Sequence, residues 1–346
     1  MSRACGRKEA AKETKSQKKD MKPEEIKKEL DLCGIAPVIV IDDANDAVDT
    51  AKALLKGGVW FMEVTFRTPA AAEAIRRVAE NVPEMIVGAG TIINIENAKK
   101  ALDAGAKFIV TPGYVPELTQ WCIENEVPIV PGTATMSEIC WAINAGCDVV
   151  KLFPAVDLGG VKYLKSINSV FPFLKFMPSG GIGLNNFEEF ASYPGVAAAT
   201  GSWLAPRNLI KDHRFDEITE ICRKSVLQMH GFKLLHIGIN NKDEESAYAS
   251  AKVLADLLSE PLADKGTAFF VGSMADVVKY DTLPGPHGHI AIECNNVDRA
   301  VRYFEDRGYK FSEIGKGEDE KGLIAIWFDE KQVDVGGFAV HLRRKG

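Results

Sequence analysis

One lysine of this sequence lies in an apolar segment, where its amine could do chemistry. Lys151 is the central residue of VVKLF at 149–153. A lysine in such a segment either extends its ammonium to water or lies inside a domain. An interior amine favours its uncharged, nucleophilic form, which imine formation with a carbonyl substrate requires. The alternative is a structural ion pair with no chemistry.

A second apolar segment, WFMEVTF at 60–66, carries Glu63, and Arg67 follows it. Residues two apart leave the same face of a strand, so Glu63, Thr65 and Arg67 form a row. Glu63 is the candidate general base, because a carboxylate near an imine can move protons during bond cleavage. Its alternative role is to be the counter-ion of Lys151 or Arg67. The guanidinium of Arg67, with the Thr91 hydroxyl, suits a substrate carboxylate, although surface salt bridges are the commoner role of arginine.

Short apolar runs alternate with amphipathic helical patterns from about residue 36 onward. The runs lie at 36–42, 60–66, 85–92, 107–113, 127–133, 149–155, 174–181 and 196–204. Continuous apolar strands that alternate with helices indicate a parallel sheet covered on both faces. Eight such units predict an α/β fold, a (β/α)₈ TIM barrel, whose strands bring their carboxyl ends to one mouth. The candidate residues above lie near those ends.

Glycine-rich turns follow the last two predicted strands. Ser179-Gly180-Gly181 ends the seventh, and Gly201-Ser202 ends the eighth. Such turns expose backbone N–H groups in adjacent loops, where barrels often bind phosphate beside a helix N-terminus. These residues are therefore the predicted phosphate site.

Residues 35–210 together resemble the 2-keto-3-deoxy-6-phosphogluconate and 2-keto-4-hydroxyglutarate aldolases. The resemblance is carried by PVIVID, MEVTFRTP, VGAGTI, IVTPG, VPIVPGT, VVKLFPA, MPSGGI and GSWLAP, in this order. It implies that Lys151 forms the Schiff base and that Glu63 is the proton shuttle. It also implies Arg67 and Thr91 at the substrate carboxylate, Pro112 and Phe153 as apolar pocket walls, and phosphate at Ser179, Gly180, Gly181 and Ser202.

The same resemblance implies a class I aldolase that needs no metal and forms a homotrimer. The expected reaction cleaves 2-dehydro-3-deoxy-6-phosphogluconate to pyruvate and glyceraldehyde 3-phosphate. Cleavage of 4-hydroxy-2-oxoglutarate to pyruvate and glyoxylate is a further expectation. Two alternatives stay open at this point: a phosphogalactonate-type aldolase, or an inactive barrel beside a metabolite-sensing C-terminal module.

The sequence changes character after about residue 230 and contains an internal repeat. LLHIGIN at 234–240 and HGHIAIE at 287–293 are each followed by a helical pattern and further strands. This predicts a smaller α+β domain of duplicated βαβββ units, which resembles the vicinal-oxygen-chelate (glyoxalase-like) fold. The expected organisation is a disordered basic lead at 1–20, the aldolase barrel at 21–230 and the glyoxalase-like domain at 231–346.

Three histidines occupy strands of this second domain and are candidate ligands of a divalent metal. His236 and His289 take equivalent positions in the two copies, and His341 lies on the last strand. Histidine nitrogens are common ligands of such ions. The segment DVVKY at 276–280 supplies no obvious ligand, and His341 occupies a position where members of the resembled family usually have Glu. A metal-free module is the favoured alternative.

Composition excludes several other classes of function. The chain has 346 residues, a formal net charge of −6 and seven cysteines. Its charge gives no reason to expect a nucleic-acid partner, and no apolar stretch is long enough for a membrane span. Residues 1–20 have no apolar centre and the cysteines have no C-x-x-C spacing, so a reducing cytoplasm is expected.

Overall fold

The computed structural model describes residues 21–280 and 283–346. The predicted basic lead at 1–20 therefore lies outside the described residues. The chain divides into two compact units between Met229 and His230. We call residues 21–229 the N-terminal domain and residues 230–346 the C-terminal domain. Within the described ranges, no helix combines the length and the apolar character that crossing a bilayer requires.

The N-terminal domain alternates strands with helices, and a strand lies in each of the eight predicted segments. The strands are β1 (Ile35–Ile39), β2 (Phe61–Thr65), β3 (Ile86–Gly90), β4 (Ile109–Val110), β5 (Ile129–Val130), β6 (Gly132–Thr133), β7 (Val149–Leu152), β8 (Lys175–Pro178) and β9 (Ala199–Gly201). The helices are α1 (Pro23–Cys33), α2 (Ala47–Lys56), α3 (Ala71–Asn81), α4 (Ile95–Asp103), α5 (Pro116–Glu124), α6 (Met136–Asn144), α7 (Gly160–Asn168), α8 (Phe187–Ala191), α9 (Arg207–Lys211) and α10 (Phe215–His230), the last of which runs to the domain division.

The strands of this domain pair in parallel and form two sheets. One has six strands in the order β5-β4-β3-β2-β1-β9, and the other has three in the order β6-β7-β8. The predicted α/β architecture is confirmed. A single closed eight-stranded barrel is not confirmed, because the ladders form these two separate sheets. The break between β5 and β6 falls at Pro131, which has no backbone N–H for a ladder.

Burial explains why polar residues inside these strands can reach one another. Every residue of β1, β2 and β3 is buried, including Glu63 on β2. The helices are amphipathic; α3 buries Ala71, Ala74, Ile75 and Val78, which share one helical face. Strands covered in this way have no solvent face, so a charged side chain on them points into the domain interior.

The C-terminal domain consists of two βαβββ units that share one sheet. The first comprises β10 (Lys233–Asn240), α11 (Glu244–Leu258), β11 (Leu262–Asp264), β12 (Ala268–Val271) and β13 (Ala275–Val278). The second comprises β14 (Gly288–Cys294), α12 (Val297–Glu305), β15 (Phe311–Asp319), β16 (Gly322–Phe328) and β17 (Phe338–Arg344). The predicted duplication is present.

The two units meet at the centre of the eight-stranded sheet, in the order β11-β12-β13-β10-β14-β17-β16-β15. The first strand of each unit pairs in parallel with its last strand, and β10 pairs with β14 antiparallel. Two separate apolar clusters pack under the helices α11 and α12. The first and last strands of both units are therefore neighbours in the middle of the sheet.

Candidate functional site

The N-terminal domain brings Lys151 and Glu63 together from different sheets. Lys151 lies on β7 and Glu63 on β2, and the Lys151 Nζ donates to Glu63 Oε1 at 3.3 Å. Lys151 is 5% exposed and Glu63 is 0% exposed. The predicted pair of amine and carboxylate is therefore formed within the interior of the domain.

Glu63 keeps one carboxylate oxygen available for another group. Its Oε2 is buried and has no hydrogen-bond partner. A buried polar atom of this kind is rare unless a ligand or water satisfies it. The absence of a side chain at Gly90 makes room for this carboxylate, since a Cβ there would lie 2.6 Å from Glu63 Cγ and Cδ. Sequence reasoning did not assign this role to Gly90.

Arg67 and Thr91 also come together, as predicted. The Arg67 Nε donates to Thr91 Oγ1 at 3.2 Å. Thr91 has a φ of +59°, which is unusual for a β-branched residue. Such backbone strain persists where the surrounding structure imposes it, and it is concentrated at functional sites. The pair leaves the guanidinium accessible to an anion, because Arg67 is exposed.

The two predicted pocket walls, Phe153 and Pro112, have different neighbours. The Lys151 Nζ lies 5.9 Å from the centre of the Phe153 ring. Pro112 is exposed and packs instead on Gly132, where a Cβ would lie 2.6 Å from the Pro112 carbonyl oxygen. Gly132 is the register partner of Lys151 on the neighbouring strand. Pro112 is thus connected to the lysine through one intervening strand.

The predicted phosphate residues follow two adjacent strand ends. Ser179 and Thr200 form an isolated parallel bridge, and Ser202 lies two residues beyond it. Gly180 and Gly181 have φ of +96° and +75°, a conformation that favours glycine. The helix that follows them, α8, has only five residues. The two loops are adjacent as expected, and the helix that begins beside them is short.

The C-terminal domain brings its three candidate histidines to one place. One ring nitrogen from each of His236, His289 and His341 lies within 4.8 Å of those of the other two. The Nε2 atoms of His236 and His289 are 3.2 Å apart. All three residues are buried, on the central strands β10, β14 and β17.

A fourth residue, Asp276 on β13, joins this cluster, and sequence reasoning missed it. Its Oδ2 lies 3.7 Å from His236 Nε2, and its Oδ1 lies 3.3 Å from His289 Nε2. The segment DVVKY offers no obvious ligand in the sequence, yet its first residue is this carboxylate beside the histidines. Asp276 and His341 are on the last strands of their units, so aligning the two copies could have revealed it.

Several polar atoms of this histidine cluster have no hydrogen-bond partner. They are Asp276 Oδ1, His289 Nδ1 and both ring nitrogens of His341. Burial, followed by the charges of His289, His236 and Arg343, lowers the pKa of His341 to about 3. Burial also lowers the pKa of His236, although Asp276 opposes it. These two imidazoles are therefore uncharged at neutral pH and present lone pairs.

Comparison with known proteins gives consistent results for the N-terminal domain. The family model for KDPG and KHG aldolase matches residues 26–221. The 2-dehydro-3-deoxy-phosphogluconate aldolase of Treponema pallidum is 39% identical over 197 residues, which is 57% of this chain and 94% of that protein. The KHG/KDPG aldolase of Escherichia coli K12 is 40% identical over 192 residues, 56% of this chain and 90% of that protein.

One solved structure is similar to this chain in both fold and sequence. The KDPG aldolase of Legionella pneumophila, with pyruvate captured as a covalent carbinolamine intermediate, superposes with a TM-score of 0.56. It is 38% identical, and the match covers 59% of this chain and 97% of that one. The matched share corresponds in size to the N-terminal domain.

Proposed function

The chain belongs to the KDPG and KHG aldolase family, and on that premise we propose that its N-terminal domain is a class I aldolase with Lys151 as nucleophile. The proposed reaction converts 2-dehydro-3-deoxy-6-phosphogluconate to pyruvate and glyceraldehyde 3-phosphate. The observation that carries this proposal is the buried Lys151 amine, 3.3 Å from the buried Glu63 carboxylate. The reaction requires a nucleophilic amine and a nearby proton shuttle.

The first half of the proposed mechanism makes an imine. The uncharged Lys151 amine attacks the C2 ketone, and the carbonyl oxygen gains a proton to give a carbinolamine. Loss of that oxygen as water leaves a protonated imine. Glu63 moves the protons, because its Oε1 contacts the amine and its Oε2 has no other partner.

The second half breaks the bond between C3 and C4. Glu63 takes the proton of the C4 hydroxyl, the C4 oxygen becomes the aldehyde carbonyl, and the bond electrons move into the imine to form an enamine. Glyceraldehyde 3-phosphate leaves. Protonation of the enamine at C3 and hydrolysis of the imine then release pyruvate and the free Lys151 amine.

Substrate recognition is assigned to the two ends of the molecule. The Arg67 guanidinium, whose Nε also donates to Thr91, would donate hydrogen bonds to the carboxylate next to the ketone. The phosphate is assigned to the Ser179-Gly180-Gly181 turn and Ser202. With 4-hydroxy-2-oxoglutarate, the leaving aldehyde is glyoxylate. The two loops then contribute less to substrate binding, because this substrate has no phosphate. A phosphogalactonate-type substrate and an inactive domain are the alternatives, and a kinetic comparison of the three substrates distinguishes them.

A substitution at Gly90 tests whether the position of the carboxylate matters. Gly90→Ala is expected to lower kcat about 100-fold, because the new methyl group would displace Glu63 from Lys151. Gly113→Ala is the matched control, since a Cβ there meets no atom within 4 Å. Steady-state kinetics of both variants give the comparison. Equal activity of the two would contradict the proposed role of Glu63.

We infer that the strands of this domain close into one ring. Only Pro131 separates β5 from β6 along the chain, which supports one interrupted strand that would link the two sheets. At the other junction, isolated bridges join Phe176 with Val196 and Ser179 with Thr200, next to β8 and β9. A (β/α)₈ ring would place Lys151 and Glu63 in its interior, where they face each other.

We also propose that the chain forms a homotrimer and that this trimer is located in the cytoplasm. Membership of the family supports it, together with large exposed apolar residues on the N-terminal domain, such as Trp141 and Ile93. Light scattering after size-exclusion chromatography tests it, because it measures the mass of the assembly. A mass of one chain would contradict the trimer.

We further propose that the C-terminal domain is a glyoxalase-like module that holds one divalent metal ion. His236, Asp276, His289 and His341 would be the ligands. Tetrahedral bonds of about 2.1 Å separate ligand atoms by about 3.4 Å. The His236 and His289 Nε2 atoms are 3.2 Å apart, and oxygens of Asp276 lie 3.7 Å and 3.3 Å from them, which is close to this spacing. When bound, the ion would act as a Lewis acid that polarises a coordinated oxygen.

Metal removal separates the two domains functionally. Dialysis of the full chain against EDTA is expected to leave aldol cleavage unchanged, since no step at Lys151 uses a metal. Incubation with Zn²⁺ is expected to load about one ion per chain. Asp276→Asn and His289→Ala should reduce this content severalfold, as measured by mass spectrometry of the metal. Unchanged metal content in both variants would contradict the site.

A further inference from the structure

The helix α11 of the C-terminal domain carries apolar side chains on two faces. Ala247 and Ala251 are buried and belong to the apolar cluster beneath this helix. Val253 and Leu257, about one turn apart, are 58% and 75% exposed. Ala249, about one turn before Val253, is exposed as well. These last three residues form a second apolar row, which lies outside the core of the domain.

The equivalent helix of the second βαβββ unit, α12, has no such row. Each apolar residue of α12 is buried or half-buried. Its exposed residue is the charged Glu305, and the charged Asp306 and Arg307 follow it. The packing of a helix on this sheet therefore requires apolar residues on one face only. The exposed row on α11 is not explained by the fold, and exposed apolar surface of this kind marks a contact site.

The sizes of the residues in this row suit a second copy of the same helix. In a contact with a twofold axis through Val253, two copies of α11 run antiparallel and present the same surface to each other. Leu257 then lies against Ala249 of the partner subunit. The large side chain fills the space beside the small one, as ridges fill grooves where helices pack.

Charges along one edge of the row fit the same arrangement. Lys252 and Asp256 are exposed, and within the described chain neither forms an ion pair. Lys252 comes one residue before the axis and Asp256 three residues after it. In the antiparallel pair, Lys252 is therefore about 3 Å along the helix from Asp256 of the partner subunit, on the same edge. The axis generates this ion pair twice, whereas a parallel pair of helices would lose both.

We propose that α11 forms a twofold interface between two copies of this chain. Ala249, Val253 and Leu257 make the apolar centre of this interface, and Lys252 and Asp256 make its charged edge. The proposal does not rest on the proposed trimer or on aldol chemistry. If the trimer also forms, the α11 contact joins trimers into assemblies with an even number of chains.

The first test introduces a charge into the apolar row. Leu257→Glu is expected to lower the mass of the assembly at least about twofold, because it places a charge in the contact. Since Leu257 is 75% exposed, the variant should remain folded, which circular dichroism checks. Glu305→Lys changes an exposed charge on α12 and is the control, with the mass of the unaltered chain expected. Light scattering after size-exclusion chromatography measures the masses. A folded Leu257→Glu variant with unchanged mass overturns the proposal.

The second test exchanges the charges at the edge of the row. Lys252→Glu would bring acidic groups together across the interface, and Asp256→Lys would bring basic groups together. Each substitution alone is expected to weaken association about tenfold, and the double variant should associate within about threefold of the unaltered chain. Sedimentation of a dilution series gives the association constants. Normal association of the single variants, or a double variant that associates no better than they do, overturns the antiparallel contact.

Discussion

Lys151→Met is expected to abolish aldol cleavage, with a loss of at least about 10⁴-fold in kcat/KM. Methionine has a similar length and packs well in an apolar interior, but it has no amine to form the imine. Trapping provides the direct measurement. Pyruvate and borohydride should add one reduced pyruvyl group to the Lys151 peptide of the unaltered protein, and none to the variant.

A neighbouring lysine provides the control for this substitution. Lys175 lies on β8, the strand next to β7, and its Nζ donates to the Pro194 carbonyl oxygen at the surface. Lys175→Met is expected to keep activity within about twofold, since its ammonium is solvated. Full activity of Lys151→Met, or a trapped adduct on another lysine, would show that Lys151 is not the nucleophile. Circular dichroism establishes that both variants are folded.

The encounter of Lys151 and Glu63 could be predicted from the sequence for a simple physical reason. Each is a charged residue in an apolar segment, and a buried charge requires a partner of opposite sign. The alternation of strands and helices then brings strand ends to one side of the domain. Arg67 and Thr91 lie at such strand ends, and the structure pairs them.

The space that Gly90 leaves for the Glu63 carboxylate could not be predicted from the sequence, because it depends on how β2 and β3 align with each other. Gly90 and Thr65 are register partners on β3 and β2, and Glu63 lies two residues before Thr65. Only the three-dimensional register reveals that a methyl group at residue 90 would meet the carboxylate. Likewise, one of the two breaks between the sheets falls at Pro131, within a segment that otherwise reads as continuous, and the other falls between β8 and β9.

Asp276 was missed for a different reason. It is a single carboxylate at the start of a short apolar run, and its register partner on β10 is Gly238. A pattern of histidines alone gives three ligands and no anion, which is why a metal-free module was favoured. The partner strand brings the carboxylate to 3.3 Å from His289, a residue of the other unit. A contact between repeats is invisible within either repeat.

Glu63→Gln is expected to lower kcat by about 10²- to 10⁴-fold while the chain remains able to form an imine. The amide has the same shape as the carboxylate, but it cannot accept the C4 hydroxyl proton. Borohydride trapping with pyruvate should therefore proceed more slowly and still reach one adduct per chain. This pattern would distinguish a proton shuttle from a counter-ion, because loss of a mere counter-ion spares the cleavage step.

An exposed glutamate gives the control. The relative size of the losses in cleavage and in trapping decides the role of Glu63. Glu96→Gln removes a carboxylate that pairs with Lys100 at the surface and should leave kcat within about twofold. If Glu63→Gln cleaves substrate at the normal rate, Glu63 only stabilises the Lys151 ammonium. If cleavage and trapping fall by the same factor, the carboxylate acts at imine formation alone. A larger loss in cleavage than in trapping assigns Glu63 to the carbon–carbon bond, because only that step requires the C4 proton to be removed.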